Sequence, residues 1–225
     1  MLDWQDIHTV LLDMDGTLLD LHFDNHFWLE HLPKRYADIH RHSDEQAVRQ
    51  QLTQRFESER GTLNWYCTDY WSEQLQLDIP ALKGEIQHLI AIRPHVEEFL
   101  TRLRAGPQQV ILVTNAHNRS LEIKMNKTGL SGLFDSIVVS HDFRAPKEDP
   151  RFWQQMRISH PFNPKHTLLI DDTASVLQSA RHFGIKYLLT LLQPDSQQQQ
   201  RQQTEFPGIL HFDEIMPELE ANTND

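Results

Sequence analysis

Asp13, Asp15, Gly16 and Thr17 lie together in the run DMDGT, Thr114 and Asn115 close the run VILVTN, Lys147 sits in APKEDP, and Asp171 and Asp172 are adjacent. Carboxylates of this kind can serve as nucleophile, as general acid or base, and as ligands of a hard cation. Brought together, Asp13, Asp15, Asp171 and Asp172 would raise one another's pKa unless a cation neutralised them. Mg²⁺ suits that role, because it takes one or two carboxylates and fills its remaining positions with water and substrate phosphate. Lys147 would add a further positive charge. A small anionic substrate would need such local positive charge, from a metal ion or from a few placed lysines and arginines.

Each cluster also has a plainer reading. Asp13 and Asp15 could form a solvated turn, Asp171 and Asp172 could cap a helix, Thr114 and Asn115 could do the same, and Lys147 could be a surface lysine. What favours chemistry is the position of all four. Thr9–Leu12, Val110–Val113, Ile137–Val139 and Thr167–Ile170 are short, apolar and rich in branched residues. They read as strands buried on both faces of a parallel sheet, and Tyr187–Leu191 reads as a fifth. Each of the first four strands leads into one of the clusters, and in open α/β sheets ligands bind beyond the carboxyl ends of the strands.

Helical segments separate the later strands. Asp149-Pro150 has the form of an N-cap followed by proline in the first turn, and Gly129 and Gly184 stand where helices stop. Alternating strands and helices define an α/β fold with a doubly wound parallel sheet. The first two strands are about a hundred residues apart, which is more than one crossover needs. A capping box from Ser43 to Gln46 opens a stripe of Val48, Leu52 and Phe56. Leu63, Tyr66, Cys67, Tyr70, Trp71 and Leu75 form a second stripe, and Leu82, Ile86, Leu89 and Ile90 a third. Pro33 is expected to kink or end an earlier helix. We read residues 20–92 as an inserted helical cap domain packed over the sheet edge, and residues 1–19 and 93–225 as the α/β core domain.

The chain has 225 residues and a net charge of -11, so its surface repels polyanions and a nucleic-acid partner is disfavoured. No apolar run is long enough for a membrane span, and no export signal is evident. The single cysteine, Cys67, excludes an intramolecular disulfide and fits a cytoplasmic location. On its apolar stripe Cys67 reads as inert core. His22 and His26 have i, i+4 spacing, but chance pairs are expected among 14 histidines, and no zinc site is assigned there. Tyr66, Tyr70 and Trp71 read as core before they read as a platform for a base. The glutamine-rich run 196–203 reads as a polar loop or helix surface without a role.

DMDGT, VTN, Lys147 and IDD together, in this order, resemble the four motifs of haloacid dehalogenase-like hydrolases. The resemblance spans roughly residues 7 to 190. It implies that Asp13 attacks phosphorus to form an aspartyl phosphate, and that Asp15 first protonates the leaving oxygen and then activates water. It also implies that Thr114 and Lys147 hold the phosphoryl group, and that Asp171 and Asp172 bind Mg²⁺ with Asp13 and the backbone carbonyl of Asp15. Two departures stand out. Lys147 is not followed directly by proline, and the last motif carries adjacent acids, of which Asp172 is the favoured ligand. LLDMDGTLLDLHFDNHFW, TLNWYCTDYWSEQL, TNAHN, PKED and IDDT are similar to bacterial GMP/IMP nucleotidases of the same superfamily, which implies a purine nucleoside monophosphate as substrate. Alternatives are a phosphatase for a sugar phosphate or a phosphoglycolate-like ester, a mutase, and a non-catalytic nucleotide-binding protein.

Overall fold

In a computed structural model that describes residues 2–41 and 44–218, the strands are β1 (Thr9–Leu12), β2 (Gln109–Thr114), β3 (Ser136–Val139), β4 (Thr167–Ile170), β5 (Tyr187–Leu191) and β6 (Gly208–Ile209). Among the described residues they form one parallel sheet in the order β3-β2-β1-β4-β5-β6. The five expected strands are present. β6, only two residues long, has no pattern a sequence reading could detect.

β1 is buried at every position, which is why it shows no polar alternation. Its residues still divide between two faces. Val10 and Leu12 join Val110, Leu112, Leu168 and Ile170 in one cluster, together with Val96, Phe99, Leu100 and Leu103 of the helix Val96–Ala105. Leu11, Ile111, Val113 and Leu169 join the other cluster, against Phe152, Trp153 and Met156 of the helix Pro150–Ser159 and Val176, Leu177 and Ala180 of the helix Ala174–Phe183. Asp149 caps the first of these two helices through its side chain, and Gly184 closes the second in the left-handed region. Gly129 does the same for Asn118–Thr128.

β1 lies between β2 and β4, so the chain winds outward from it in both directions and the switch point is at its carboxyl end. Leu12 is in register with Ile170 and with Leu112. One residue further along, the register alone sets Asp13 beside Asp171.

Between β1 and β2 the chain is helical: α1 (His22–His26), α2 (Leu32–His40), α3 (Glu45–Glu59), α4 (Leu63–Tyr66), α5 (Thr68–Leu75) and α6 (Ile79–Glu85), followed by α7 (Val96–Ala105). After β2 come α8 (Asn118–Thr128), α9 (Pro150–Ser159) and α10 (Ala174–Phe183). Pro33 does not end a helix. It stands in the first turn of α2, directly after a π-helical turn Phe27–His31 that continues α1. The wider turn lets the helix run on past a residue that has no N–H. Ser43 lies outside the described residues; α3 is capped by Asp44, whose Oδ1 accepts from the Ala47 N–H at 2.9 Å. The stripe from Leu63 to Leu75 is broken into α4 and α5 at Cys67. Trp71, Phe56 and Trp28 pack edge to face, and the cluster that contains them runs unbroken into the sheet face of Leu12. No helix among the described residues is long and apolar enough to cross a membrane.

Candidate active site

β1 ends at Leu12, and the chain turns at once. The Gly16 N–H donates to the Leu19 carbonyl at 2.8 Å, and the Leu18 and Leu19 N–H groups both donate to the Met14 carbonyl. Gly16 has φ +84, and a Cβ there would lie 2.8 Å from Asp172 Cγ and 3.2 Å from Pro194 Cβ. Glycine is required twice over, for its backbone and for the closeness of Asp172. Among the described residues, the turn leaves Asp13 buried with its Oδ2 unpartnered, and Thr17 fully buried with an unpartnered Oγ1.

Lys147 reaches Asp13 from the loop after β3. Its Nζ donates to Asp13 Oδ1 and to Asp171 Oδ2, each at 2.6 Å, and to the Val113 carbonyl at 3.1 Å. Burial works against the charge, but the two carboxylates overcome it and hold the lysine well above its usual range. A surface lysine is therefore excluded. Asn115 fixes this loop: its Oδ1 accepts from the Lys147 N–H at 2.9 Å and its Nδ2 donates to Glu148 Oε2 at 2.9 Å. Thr114 is buried at the end of β2, and its Oγ1 accepts from the Ala116 N–H at 3.0 Å. Neither residue caps α8, whose N-cap is His117.

Asp171 and Asp172 follow β4. Asp171 Oδ1 accepts from the Thr173 N–H at 2.9 Å, so both of its oxygens are engaged. Asp172 Oδ1 accepts from Thr173 Oγ1 at 3.1 Å, and its Oδ2 lies 3.7 Å from Arg201 Nη2. Burial, and then Asp13, push Asp172 up to about 7, and Asp171 is raised by burial as well. One oxygen from each of Asp13, Asp171 and Asp172 lies within 4.8 Å of the others. Three buried carboxylates brought this close are a hard-oxygen donor set, and Mg²⁺ fits it.

Four residues at or behind the site gave no sequence signal. Lys124 of α8 is buried, with Nζ 2.6 Å from Asp15 Oδ1 and 2.6 Å from Asp24 Oδ2. Lys83 of α6 donates to Asp24 Oδ1 at 2.7 Å. Burial pushes Asp15 up to about 6 against the pull of Lys124. The fourth is Arg201, in the glutamine-rich run, which donates to the Asp172 carbonyl at 2.6 Å. That run is a loop, and through Arg201 it braces the last motif.

The helical stretch between β1 and β2 reaches the loop of Lys147 at Tyr66, whose hydroxyl donates to Glu148 Oε1 at 2.6 Å. Tyr66 is thus a bridge to the sheet and not core, whereas Trp71 is core, at 2% exposure. Cys67 is not core either: it is half-buried and caps α5, its Sγ accepting from the Tyr70 N–H at 3.4 Å. His22 faces Asp195, at 3.7 Å.

A buried carboxylate at the switch point, gripped by a lysine and flanked by two more carboxylates, has the groups to act as a nucleophile and to share in a cation site. Residues 10–190, the span that holds all four clusters, match the haloacid dehalogenase-like hydrolases, and the chain belongs to that family. Within it the chain is a phosphatase. It is 40% identical over 216 residues to the GMP/IMP nucleotidase YrfG of Escherichia coli (strain K12) and to that of Shigella flexneri, covering 96% of this chain and 97% of each relative. The crystal structure of a HAD phosphatase from Thermococcus onnurineus shares the fold, with a TM-score of 0.74 at 18% identity over 89% of this chain and 93% of that one.

Proposed function

We propose that the protein is a Mg²⁺-dependent 5′-nucleotidase that hydrolyses GMP and IMP to nucleoside and phosphate. The observation that carries the mechanism is the pair of unequal oxygens on Asp13. Oδ1 is held by Lys147, while Oδ2 is buried and has no hydrogen-bond partner among the described residues, as a poised nucleophile requires. Oδ2 attacks phosphorus, the bond to the nucleoside oxygen breaks, and Asp15 gives that oxygen its proton. Water then attacks the aspartyl phosphate, Asp15 takes a proton from it, and phosphate leaves as Asp13 is restored. An acid raised to about 6 can work in both directions near neutral pH. Lys147 and the Thr114 hydroxyl hold the phosphoryl oxygens, and Asn115 holds Lys147. Asp13, Asp172 and Asp171, with the Asp15 backbone carbonyl, are the residues to hold Mg²⁺, which when bound offsets the charge of phosphate and carboxylates.

Residues 20–92 act in this reading as a cap over the site. The purine assignment rests on the likeness to the two nucleotidases. A cleft in the insert lined by Asn25, Trp28, Phe56, Arg60 and Trp65 also offers the aromatic faces a purine can stack on. The lone cysteine agrees with a cytoplasmic enzyme.

The test is phosphate release with Mg²⁺ across nucleoside monophosphates and sugar phosphates, with EDTA and Asp13→Asn as controls. Preference for GMP and IMP, lost in both controls, is the expected result. Preference for a sugar phosphate would remove the purine assignment and leave the mechanism. Full activity in Asp13→Asn would remove the mechanism.

A further inference from the structure

Three nitrogen and sulfur donors meet away from the carboxylates. Cys67 comes from the junction of α4 and α5, His117 from the start of α8 and His141 from the turn after β3. One donor atom of each lies within 4.8 Å of the others. The set joins the helical insert to the sheet, because Cys67 belongs to the former and the two histidines to the latter. We propose that Cys67, His117 and His141 bind a borderline-soft divalent transition ion, Zn²⁺ above all, and that the bound ion clasps the insert to the sheet.

The donor chemistry separates this site from the carboxylate site. Thiolate and imidazole select zinc and its neighbours, whereas Mg²⁺ takes oxygen. Three protein ligands with a fourth position left open are a usual zinc arrangement. The exposed Asp69 stands beside the set, with Oδ2 3.7 Å from His117 Nε2, and can reach that position through water.

The two imidazoles are prepared for ligation. His141 Nε2 is buried and has no hydrogen-bond partner among the described residues, which is costly for a ring nitrogen unless something occupies it. His117 is oriented by Thr68, with Nδ1 2.8 Å from Oγ1, and the two rings meet edge to face at 5.0 Å between centroids.

Donors on one tetrahedral zinc stand about 3.5 Å apart. The three atoms must therefore approach by roughly an ångström, which rotation of half-buried side chains supplies. The consequence is mechanical. Thr68 already meets His117, and Tyr66 already meets Glu148 beside Asn115. An ion on Cys67 would tighten this seam and slow any opening of the insert.

The test uses the whole protein, freed of metal, titrated with Co²⁺ alone and followed by its spectrum. One Co²⁺ per chain is expected to give an intense near-ultraviolet thiolate-to-cobalt band. The band should vanish in Cys67→Ser, persist in Asp172→Asn, and be displaced by Zn²⁺. His117→Gln, checked for folding by circular dichroism, should weaken Zn²⁺ binding by about tenfold or more in competition with a chromogenic chelator. No band in the native protein, a band that survives Cys67→Ser, or a band lost in Asp172→Asn would each overturn the proposal.

Discussion

Lys124 grips Asp15, with Nζ 2.6 Å from Oδ1, although the two are 109 positions apart in the chain (124 - 15). Lys124 therefore stands behind the proton donor and acceptor of the proposed reaction. Its charge lowers the Asp15 pKa, while burial raises it to about 6. Removing the charge in Lys124→Met must raise it further. A general acid works when protonated, so the rate of ester cleavage falls as pH rises through this value. In single-turnover experiments the falling limb is expected to move to higher pH in Lys124→Met. Asp15→Asn removes the proton donor and should slow cleavage by about 10²–10⁴-fold. A limb that stays in place in Lys124→Met would separate Lys124 from proton transfer.

Asp24 sits between two buried lysines, Lys83 and Lys124. Burial alone would raise its pKa, but the lysines hold it far below the usual carboxylate range. Asp24→Asn leaves Lys83 without an anionic partner and is expected to cost about 3–5 kcal/mol at neutral pH. The native carboxylate has the lower pKa, so its contribution is complete above the unfolded value of about 3.9 and declines as pH falls below it. Urea unfolding of both proteins at pH 7 and at pH 3 should show the gap narrowing in acid. A gap that widens in acid would contradict the ion-pair account.

Gly16 offers a test of geometry with no change of charge. A methyl group at this position collides with the Asp172 carboxylate and meets Pro194, while φ +84 opposes any L side chain. Gly16→Ala is expected to lower kcat by on the order of 10²-fold, because displacements of about an ångström at a reacting centre carry that cost. Mg²⁺ affinity should fall with it, read by the Mg²⁺ dependence of activity. Unaltered Mg²⁺ dependence would argue that Asp172 is not a ligand.

The carboxylates and Lys147 were legible in the sequence because strands buried on both faces announce themselves as apolar runs, and parallel register then carries Asp13 to Asp171. Other parts were hidden for definite reasons. Lys124 lies in KMNKTG, which reads as a solvated helix end; only the fold reveals that the position is buried. Arg201 is masked by the glutamines around it. The break at Cys67 is invisible to periodicity, since α4 and α5 continue one apolar stripe on either side of it. The cluster of Cys67, His117 and His141 has no spacing motif, because its members are 50 and 24 positions apart (117 - 67 and 141 - 117).

His141 gives a stability test that needs neither substrate nor metal. Burial, and then His117, push it down to about 4, opposed by a bond with the Asn115 backbone and by Asp142 and Asp69. The unfolded chain takes up this proton near pH 6.5, before the folded chain does. Folding is therefore favoured above about pH 6.5, and that advantage is lost as pH falls toward the folded value. His117, which burial also lowers, acts in the same direction. With allowance for partial exposure of the ring, the loss assigned to His141 should be on the order of 1 kcal/mol. Urea midpoints measured with chelator at pH 7.5, 6 and 5 should fall more steeply for the native protein than for His141→Gln. Parallel slopes would show that the folded protein accepts the proton as readily as the unfolded chain, and that His141 is not held neutral.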